Sequence, residues 1–155
     1  MCFSLRMVVG PLVVGFLLVG CGQRLPPGAK PTKPVSVTVT YKGAPVEGAV
    51  VTFADQGDKP ANANGITDAA GKAKLKTYIE GDGAVIGPHK VIISKSIAQG
   101  GQNLSSDDPK YDPNAPPSTV KHFLPLKYSS QATSGLTADV TKAGPSEFPF
   151  ELKDP

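Results

Sequence analysis

The strongest constraint on the fold is a two-residue alternation of apolar and polar side chains that begins at Val35. In the segment 35–41 (VSVTVTY), valine and tyrosine alternate with serine and threonine, which is typical of a strand with one buried face. Similar short segments recur, and none after residue 20 combines a sustained 3.6-residue period with helix caps. Strands are predicted at 35–41 and 46–54. A short third strand is predicted to end at 67, and four more are predicted at 73–77, 90–95, 136–140 and 148–152. About seven short strands separated by turns predict an all-β sandwich.

Glycine and proline mark the turns between these strands and supply 33 of the 155 residues. Glycine reaches positive φ without steric cost, proline pre-sets φ, and aspartate accepts hydrogen bonds from nearby backbone amides. Structural turns are predicted at Gly43, Pro45, Asp68, Gly71, Gly81 and Gly83. At these positions a role in the turn is preferred over a role in ligand binding.

Strand alternation also predicts which side chains form the core. The predicted inward positions are Val37, Val39, Val51, Phe53, Leu75, Val91, Ile93, Leu136, Val140, Phe148 and Phe150. Lys72, Lys74 and Lys76 form an outward row, interpreted as protection of a sheet edge, with contact to anionic polysaccharide or lipid as the alternative. Pro149 has no amide hydrogen, so the last strand is predicted to lie at an edge.

The first twenty residues are predicted to be an export signal. Arg6 is the only charge before an apolar run of thirteen residues, Met7–Val19, which is shorter than the roughly 20 residues that span a bilayer as a helix. The run ends in Leu-Val-Gly-Cys, which resembles the lipobox of bacterial lipoproteins and makes Cys21 the predicted lipidation site. The residue after Cys21 is Gly22, and it is not the aspartate that retains lipoproteins of some bacteria at the inner membrane. The sequence therefore favours the outer membrane or the cell surface.

Residues 21–34 are predicted to be the lipidated cysteine and a proline-rich linker. The stretch GQRLPPGAKPTKP carries four prolines and no acidic residue, so an extended spacer of roughly 40 Å is expected. Its charges, Arg24, Lys30 and Lys33, either attract anionic lipid headgroups or serve solubility. The β-sandwich domain is then predicted to occupy residues 35–155.

The segment 96–120 interrupts the strand pattern because it is long, polar and rich in proline. Loops of this length without regular structure are usually functional or disordered. The segment is predicted to be either a disordered loop or a loosely packed flap. Any specific function of the protein is expected to lie in this segment. Of its side chains, Ile97, Leu104 and Tyr111 are the ones large enough to contribute burial.

Two runs of the sequence resemble the carboxypeptidase regulatory-like domain, a transthyretin-like domain with an Ig-type β-sandwich. They are VTVTYKGAPVEGAVVTF, with its Gly-x-Pro turn, and GITDAAGKAKLKTY, with its Thr-Asp-x-x-Gly-x turn. The later segments GDGAVIGPHKVIISK and FPFELK are similar to the C-terminal part of short bacterial lipoproteins built on this domain. Ala73 departs from the pattern, which usually has a larger side chain after the turn. The resemblance implies an extracytoplasmic setting and a structural or adhesive role, and it carries no catalytic activity.

The sequence contains no convincing catalytic or metal-binding motif. Iron dioxygenases of the transthyretin-like fold use a His-x-His pair, whereas His89 and His122 lie 33 residues apart here and are interpreted as exposed or half-buried strand residues. Asp107, Asp108 and Asp112 with Asn114 lack the spacing of a calcium loop and are interpreted as a solvated loop. Both cysteines, Cys2 and Cys21, lie near the start of the chain, so the body contains no disulfide framework. No enzyme, metal site or cofactor is predicted.

These observations predict a lipid-anchored, non-enzymatic β-sandwich of the bacterial cell envelope with a structural or binding role. The predicted partners are membrane lipid, through acylated Cys21, and an envelope protein or polysaccharide. A nucleic acid is not predicted, because the net charge is only +3 and the basic residues are spread along the chain. The alternative is a carbohydrate- or protein-binding module that uses the 96–120 loop, with a transthyretin-fold enzyme third.

Overall fold

The computed structural model of this chain describes residues 25–101, 105–114 and 116–154. Cys21, the export signal and Leu104 lie outside these residues. Twelve short strands and one 3₁₀ helix, Leu126–Ser129, occur in the described part. In chain order the strands are Thr32–Lys33 (β1), Ser36–Tyr41 (β2), Ala44–Pro45 (β3), Val50–Asp55 (β4), Ala63–Ile66 (β5), Lys72–Lys74 (β6), Ala84–Val85 (β7), Gly87–Ser94 (β8), Ser96–Gln99 (β9), Thr119–His122 (β10), Leu136–Val140 (β11) and Glu147–Leu152 (β12).

The protein is an all-β sandwich, as the alternation predicts. One antiparallel sheet has the strand order β11-β8-β4-β5. The other has the order β12-β2-β3, and β6 pairs with β2 as well. Buried side chains of both sheets form one hydrophobic cluster, so the two inner faces pack on each other. Among the described residues, no helix is long and apolar enough to cross a bilayer.

The core prediction is confirmed at nine of its eleven positions, while Leu136 and Phe148 are only half-buried at the margin of the cluster. Phe53 lies at the centre with its side chain fully buried. Its ring makes edge-to-face contacts with Phe148, at 5.7 Å between centroids, and with Phe150, at 6.1 Å. These contacts join β4 of one sheet to β12 of the other, so Phe53 links the two layers.

The chain changes sheets between β3 and β4, and here the predicted strand 46–54 is wrong at its start. Gly48 adopts φ +68°, and the strand begins only at Val50. The buried Thr67 hydroxyl accepts a hydrogen bond from the Ala49 amide (2.8 Å) and donates one to the Val46 carbonyl (2.5 Å). The alternation changes phase here, because Val46 and Ala49 are both buried with two exposed residues between them, and this phase change marks the crossover.

The last strand, β12, runs parallel to β2, and Pro149 lies opposite Thr38. Among the described strands β2 is the only partner of β12, which confirms that Pro149 belongs to an edge strand. The parallel direction was not predicted, because side-chain alternation is the same in parallel and antiparallel strands. This pairing brings the C-terminal residues beside Tyr41.

The N-terminal linker is not a free spacer along its whole length. Residues 29–34, the strap, lie on the domain: β1 pairs with β7, and the Ile86 amide donates to the Pro31 carbonyl. The Lys33 ammonium group donates to the carbonyls of Thr141 (3.1 Å) and Gly144 (2.5 Å). A proline-flanked dipeptide can still pair at a sheet edge, because the residues between the prolines keep their amides. The folded domain therefore begins before residue 35.

The predicted loop 96–120 is partly regular. Its ends extend into β9 and β10, which pair with each other in antiparallel register from Gln99–Thr119 to Ser96–His122. All eight of these residues are exposed. We call residues 96–122 the arm; within it, residues 102–104 and 115 lie outside the described part. Ile97 and Val120 are exposed on the arm, so its described apolar side chains do not complete the core.

Candidate binding surface around Tyr41 and Phe123

A candidate binding surface lies where the arm rejoins the sandwich. The Phe123 amide donates to the Lys95 carbonyl (2.9 Å), which fixes the base of the arm, and Leu124 is buried beneath it. The 3₁₀ helix follows and buries Tyr128, whose hydroxyl group bonds to both the amide and the carbonyl of Lys153 at 3.1 Å. These contacts hold Phe123 beside Tyr41 at the end of β2.

Two adjoining depressions meet at this point, with volumes of about 350 and 470 Å³. Both are lined by Tyr41, Phe123 and Leu124. The lining of the first depression also includes Glu47 and Lys95. The lining of the second also includes His122, Leu126, Lys127 and Asp154. We call the residues that line the two depressions, together with Lys42 and Lys121, the Tyr41–Phe123 surface.

Lysines surround the aromatic rings of this surface. The Lys95 and Lys121 ammonium groups lie 5.5 and 5.3 Å from the centroid of the Phe123 ring. Lys42 lies 5.1 Å from the Tyr41 ring, and Lys127 lies 4.8 Å from the ring of Tyr128. An ammonium group within about 6 Å of a ring centroid is attracted to the π face. Positive charge is therefore held close to exposed apolar area.

One carboxylate offsets part of this charge. Asp154 accepts a hydrogen bond from the Tyr41 hydroxyl (2.5 Å) and forms an ion pair with Lys42 at 2.8 Å. The Lys42 and Tyr41 hydrogen bonds lower the pKa of Asp154, and the bond to Asp154 raises the pKa of Tyr41. Asp154 is thus ionised and engaged near neutral pH. By contrast, Lys95 and Lys121 form no ion pair within 4.0 Å in the described part of the chain.

A second polar cluster lies beneath the strap. Asp55 is buried and accepts hydrogen bonds from the Lys30 ammonium group (2.6 Å) and from the amides of Gly57 (2.9 Å) and Ala61 (3.1 Å). Burial alone would raise the pKa of Asp55, but these hydrogen bonds together lower it. Lys30 is therefore a structural partner of Asp55, and it is not free to face lipid headgroups.

His89 lies opposite Asp55 in the β4–β8 register, and its predicted exposure is wrong because only 2% of it is accessible. Its Nδ1 lies 2.9 Å from the Gly87 carbonyl, so Nδ1 carries the hydrogen, since a carbonyl only accepts. No described residue gives the buried Nε2 a hydrogen-bond partner. Burial lowers the pKa of His89, while the hydrogen bond to the Gly87 carbonyl and the nearby Asp55 and Asp139 carboxylates oppose that shift in part. The ring is therefore neutral at pH 7.

Protonation of His89 should make stability depend on pH. Its folded-state pKa is below the ordinary value of 6.5, so the unfolded chain binds the proton more tightly. The free energy of unfolding should fall as the pH drops below 6.5, by about 1.4 kcal/mol per unit of pKa difference at the limit. Asp55 adds to this loss only near and below its ordinary pKa of 3.8. Urea titrations at pH 5 and pH 7 measure the difference.

The exposed His122 provides the matched control for this pH effect. His89→Leu should remove the pH dependence between pH 5 and 6.5, whereas His122→Gln should keep it. An unchanged pH dependence in the His89 variant would show that another group is responsible.

The predicted turn residues all lie in the described part. Gly43 follows Lys42 in a two-residue hairpin loop, and φ is positive at both, +79° and +52°, as a type I′ turn requires. Pro45 itself lies in β3. In the next turn, one Asp68 oxygen accepts the amides of Ala70 and Lys72, both at 2.9 Å.

The three remaining turn glycines differ in the space around them. Gly71, at φ +73°, lies so close to β2 that an added Cβ would be 2.5 Å from the Val39 carbonyl oxygen. Gly83, at φ +80°, packs directly against the strap, whereas Gly81, at φ +79°, faces open space. At Gly71 and Gly83 the neighbouring backbone leaves no room for a Cβ atom, which is a physical reason for glycine at these two turns.

The acidic cluster of the arm and the outward lysine row do not line the Tyr41–Phe123 surface, whereas His122 does. Asp108 and Asp112 each accept a backbone amide two residues further along the chain. Within residues 25–101, 105–114 and 116–154, no group of three or more potential ligands is placed to hold a metal ion. The row Lys72, Lys74 and Lys76 is exposed on β6 and the segment that follows it, with Lys72 paired to Glu147 at 3.5 Å.

Sequence reasoning did not single out Tyr41, Lys42, Phe123, Lys127 or Asp154. The run KHFLPLKY at 121–128 carries a usable signal, because it combines basic and aromatic residues at the end of a polar segment. No known protein family, curated protein or solved structure matches this chain.

Proposed function

We propose that this chain is a lipid-anchored, non-catalytic β-sandwich protein of the bacterial cell envelope. The observation that carries the proposal is the apolar run of thirteen residues that ends in Leu-Val-Gly-Cys, with Cys21 as the acylated residue. Stable anchoring needs two or more acyl chains, which a lipidated cysteine supplies. Gly22 at the next position favours the outer membrane or cell surface as the destination.

The surroundings of the two histidines support a role without catalysis. A histidine that activates a nucleophile must lie within hydrogen-bond reach of it. His89 is buried, with Nδ1 directed at the Gly87 carbonyl and its ring 5.7 Å from that of Phe53. His122 lies on the exposed strand β10. The resemblance to carboxypeptidase regulatory-like domains agrees with a structural or adhesive function.

Replacing Cys21 by serine tests the anchoring. We expect Cys21→Ser to abolish the incorporation of a labelled fatty acid and to move the protein from the membrane fraction to the soluble fraction, because the acyl acceptor is lost. Metabolic labelling followed by fractionation measures both effects.

The second cysteine supplies the control for this test. Cys2 lies within the predicted export signal, so Cys2→Ser should leave labelling unchanged. Labelling that persists in the Cys21 variant, or that disappears in the Cys2 variant, contradicts the proposal.

A second candidate function is a carbohydrate- or protein-binding module that uses the arm. The observation that favours it is the exposure of Ile97 and Val120, at 47% and 57%, on a ribbon that projects its side chains into solvent. Ile97 lies opposite Lys121 and Val120 lies opposite Ala98, so each face of the ribbon carries one large exposed apolar side chain. The arm leads directly into the Tyr41–Phe123 surface, which gives this candidate a defined concave site.

A further inference from the structure

We infer that the Tyr41–Phe123 surface binds an anionic polysaccharide, a linear chain of sugar rings that carries carboxylate groups. The inference deepens the second candidate function and rests on the binding role proposed there. It names the site and the chemical class of the ligand. Shape, charge and apolar contact each support it.

The shape of the surface suits a chain rather than a single small molecule. The two depressions share Tyr41, Phe123 and Leu124; Leu124 is buried, so Tyr41 and Phe123 form the ridge between them. Ligand sites usually occupy about 300–1,000 Å³, and each depression alone, at about 350 and 470 Å³, falls in this range. A linear polymer that crosses the ridge can place consecutive units in both depressions.

The charge of the surface suits carboxylates. Four lysines surround it, at 42, 95, 121 and 127, against the two carboxylates of Glu47 and Asp154. Asp154 is engaged with Lys42, which leaves the charges of Lys95 and Lys121 beside Phe123. Lysine presents a compact charge on a flexible stem, which suits charges repeated along a polymer.

Apolar area lies within the same few ångströms as the charge. Phe123 is 39% exposed and Leu126 is 59% exposed. A sugar ring has an apolar C–H face, which can pack on these side chains while its carboxylate meets Lys95 or Lys121. Because both ammonium groups lie within 5.5 Å of the Phe123 centroid, one sugar unit can make both contacts. A flat surface that carries only charges would attract the carboxylate but would offer no apolar contact to the sugar ring.

The surface is also largely preformed. The hydrogen bond from the Phe123 amide to the Lys95 carbonyl, and the two hydrogen bonds between the Tyr128 hydroxyl and the Lys153 backbone, fix the backbone on either side of the ridge. Binding therefore requires ordering of lysine side chains and little rearrangement of the backbone, which lowers its entropic cost.

The test uses the full chain in a non-ionic detergent and isothermal titration calorimetry. The probe is a short oligogalacturonate, and the neutral comparison is a cello-oligosaccharide of the same length. We expect the anionic chain to bind, the neutral chain to bind at least about tenfold more weakly, and added salt to weaken binding, because exposed charges are screened. This comparison needs no variant, so it does not depend on how well a variant folds.

Variants then locate the site. Lys95→Ala combined with Lys121→Ala should reduce affinity for oligogalacturonate by at least about tenfold, and Phe123→Ala by a similar factor, which is about 1.4 kcal/mol each. Lys74→Ala combined with Lys76→Ala removes the same charge from the outward lysine row. This control should change affinity by less than about twofold, since surface substitutions away from a site have small effects. Circular dichroism and urea midpoints verify that each variant is folded.

Several outcomes overturn the inference. They are no binding of oligogalacturonate, equal binding of the neutral chain, or loss of affinity in the Lys74 and Lys76 control and not in the Lys95 and Lys121 variant. An anionic lipid headgroup is the other possible ligand, and short-chain phosphatidylglycerol below its micelle concentration tests for it. Equal or tighter binding of this lipid, in competition with the sugar, would assign the surface to headgroups. None of these outcomes alters the Cys21→Ser labelling result, so failure here and failure of the anchoring proposal are distinguishable.

Discussion

Replacing Phe53 by alanine is expected to lower the free energy of unfolding by about 3–5 kcal/mol, because a buried aromatic ring is lost and a cavity remains. The ring is fully buried and contacts Phe148 and Phe150 of the opposite sheet as well as His89 on the neighbouring strand. The surroundings cannot collapse easily, since the cavity would lie between two hydrogen-bonded layers. A loss of this size is a large fraction of the stability of a typical domain.

The same substitution at the surface provides the control for Phe53. Phe123→Ala removes an identical group from a partly exposed site, and Lys74→Ala removes an outward side chain, so we expect losses of about 1 kcal/mol or less for each. Urea titration of the three variants measures these differences. Similar losses for Phe53→Ala and Phe123→Ala would mean that the ring at 53 does not occupy the centre of the core.

Replacing Gly83 by alanine is expected to be the most damaging of the turn substitutions. A Cβ at this position would overlap the carbonyl group of Lys33 and would lie 2.6 Å from the Pro34 Cα. The positive φ adds about 1–2 kcal/mol for any residue with a side chain, and forced overpacking typically costs a further 1–3 kcal/mol, so about 2–5 kcal/mol is expected in total. The clash should displace the strap, which is the element that crosses Gly83.

Gly81 is a closely matched control because its φ of +79° is nearly the same and an added Cβ meets nothing within 4 Å. Gly81→Ala should therefore cost only the backbone term of about 1–2 kcal/mol. Hydrogen exchange at the Ile86 amide, which donates to Pro31 in the strap, reports displacement directly. Faster exchange is expected in the Gly83 variant and not in the Gly81 variant. The same exchange rate in both variants would show that the strap tolerates the clash.

Side-chain alternation predicted much of the core because it records which face of each strand is buried. Val37 and Phe53 lie on such faces, and both are fully buried. Alternation does not encode the direction of pairing or which sheet a strand joins. The parallel contact of β12 with β2 and the crossover held by Thr67 are tertiary choices. They depend on contacts between residues far apart in sequence.

The strap was misinterpreted for a related reason. Two prolines flank Thr32–Lys33, and an extended proline-rich segment occupies the same broad extended region of φ and ψ as an edge strand. What distinguishes the two is a partner, here Ala84–Val85 together with the acceptors that surround the Lys33 ammonium group. Local sequence does not contain that information.

The Tyr41–Phe123 surface was missed because its parts are distant in sequence. Asp154 reaches Tyr41, 113 residues away, only because the last strand runs parallel to β2. The expectation of function in the segment 96–120 was directed at the neighbouring part of the chain. The aromatic residue that closes the arm follows it at position 123.

The strap also sets how far the domain can move from an anchor on Cys21. Only residues 22–29 separate that cysteine from Lys30, which is fixed to Asp55. Nine steps of at most about 3.3–3.6 Å lead from Cys21 to Lys30, so this leash is at most about 30–32 Å long. A domain of this size has a radius of gyration of about 14 Å, so the leash is no longer than the domain is wide. With Cys21 acylated as proposed, the Tyr41–Phe123 surface would stay within a thin layer next to the bilayer, and a polymer would have to enter that layer to be bound.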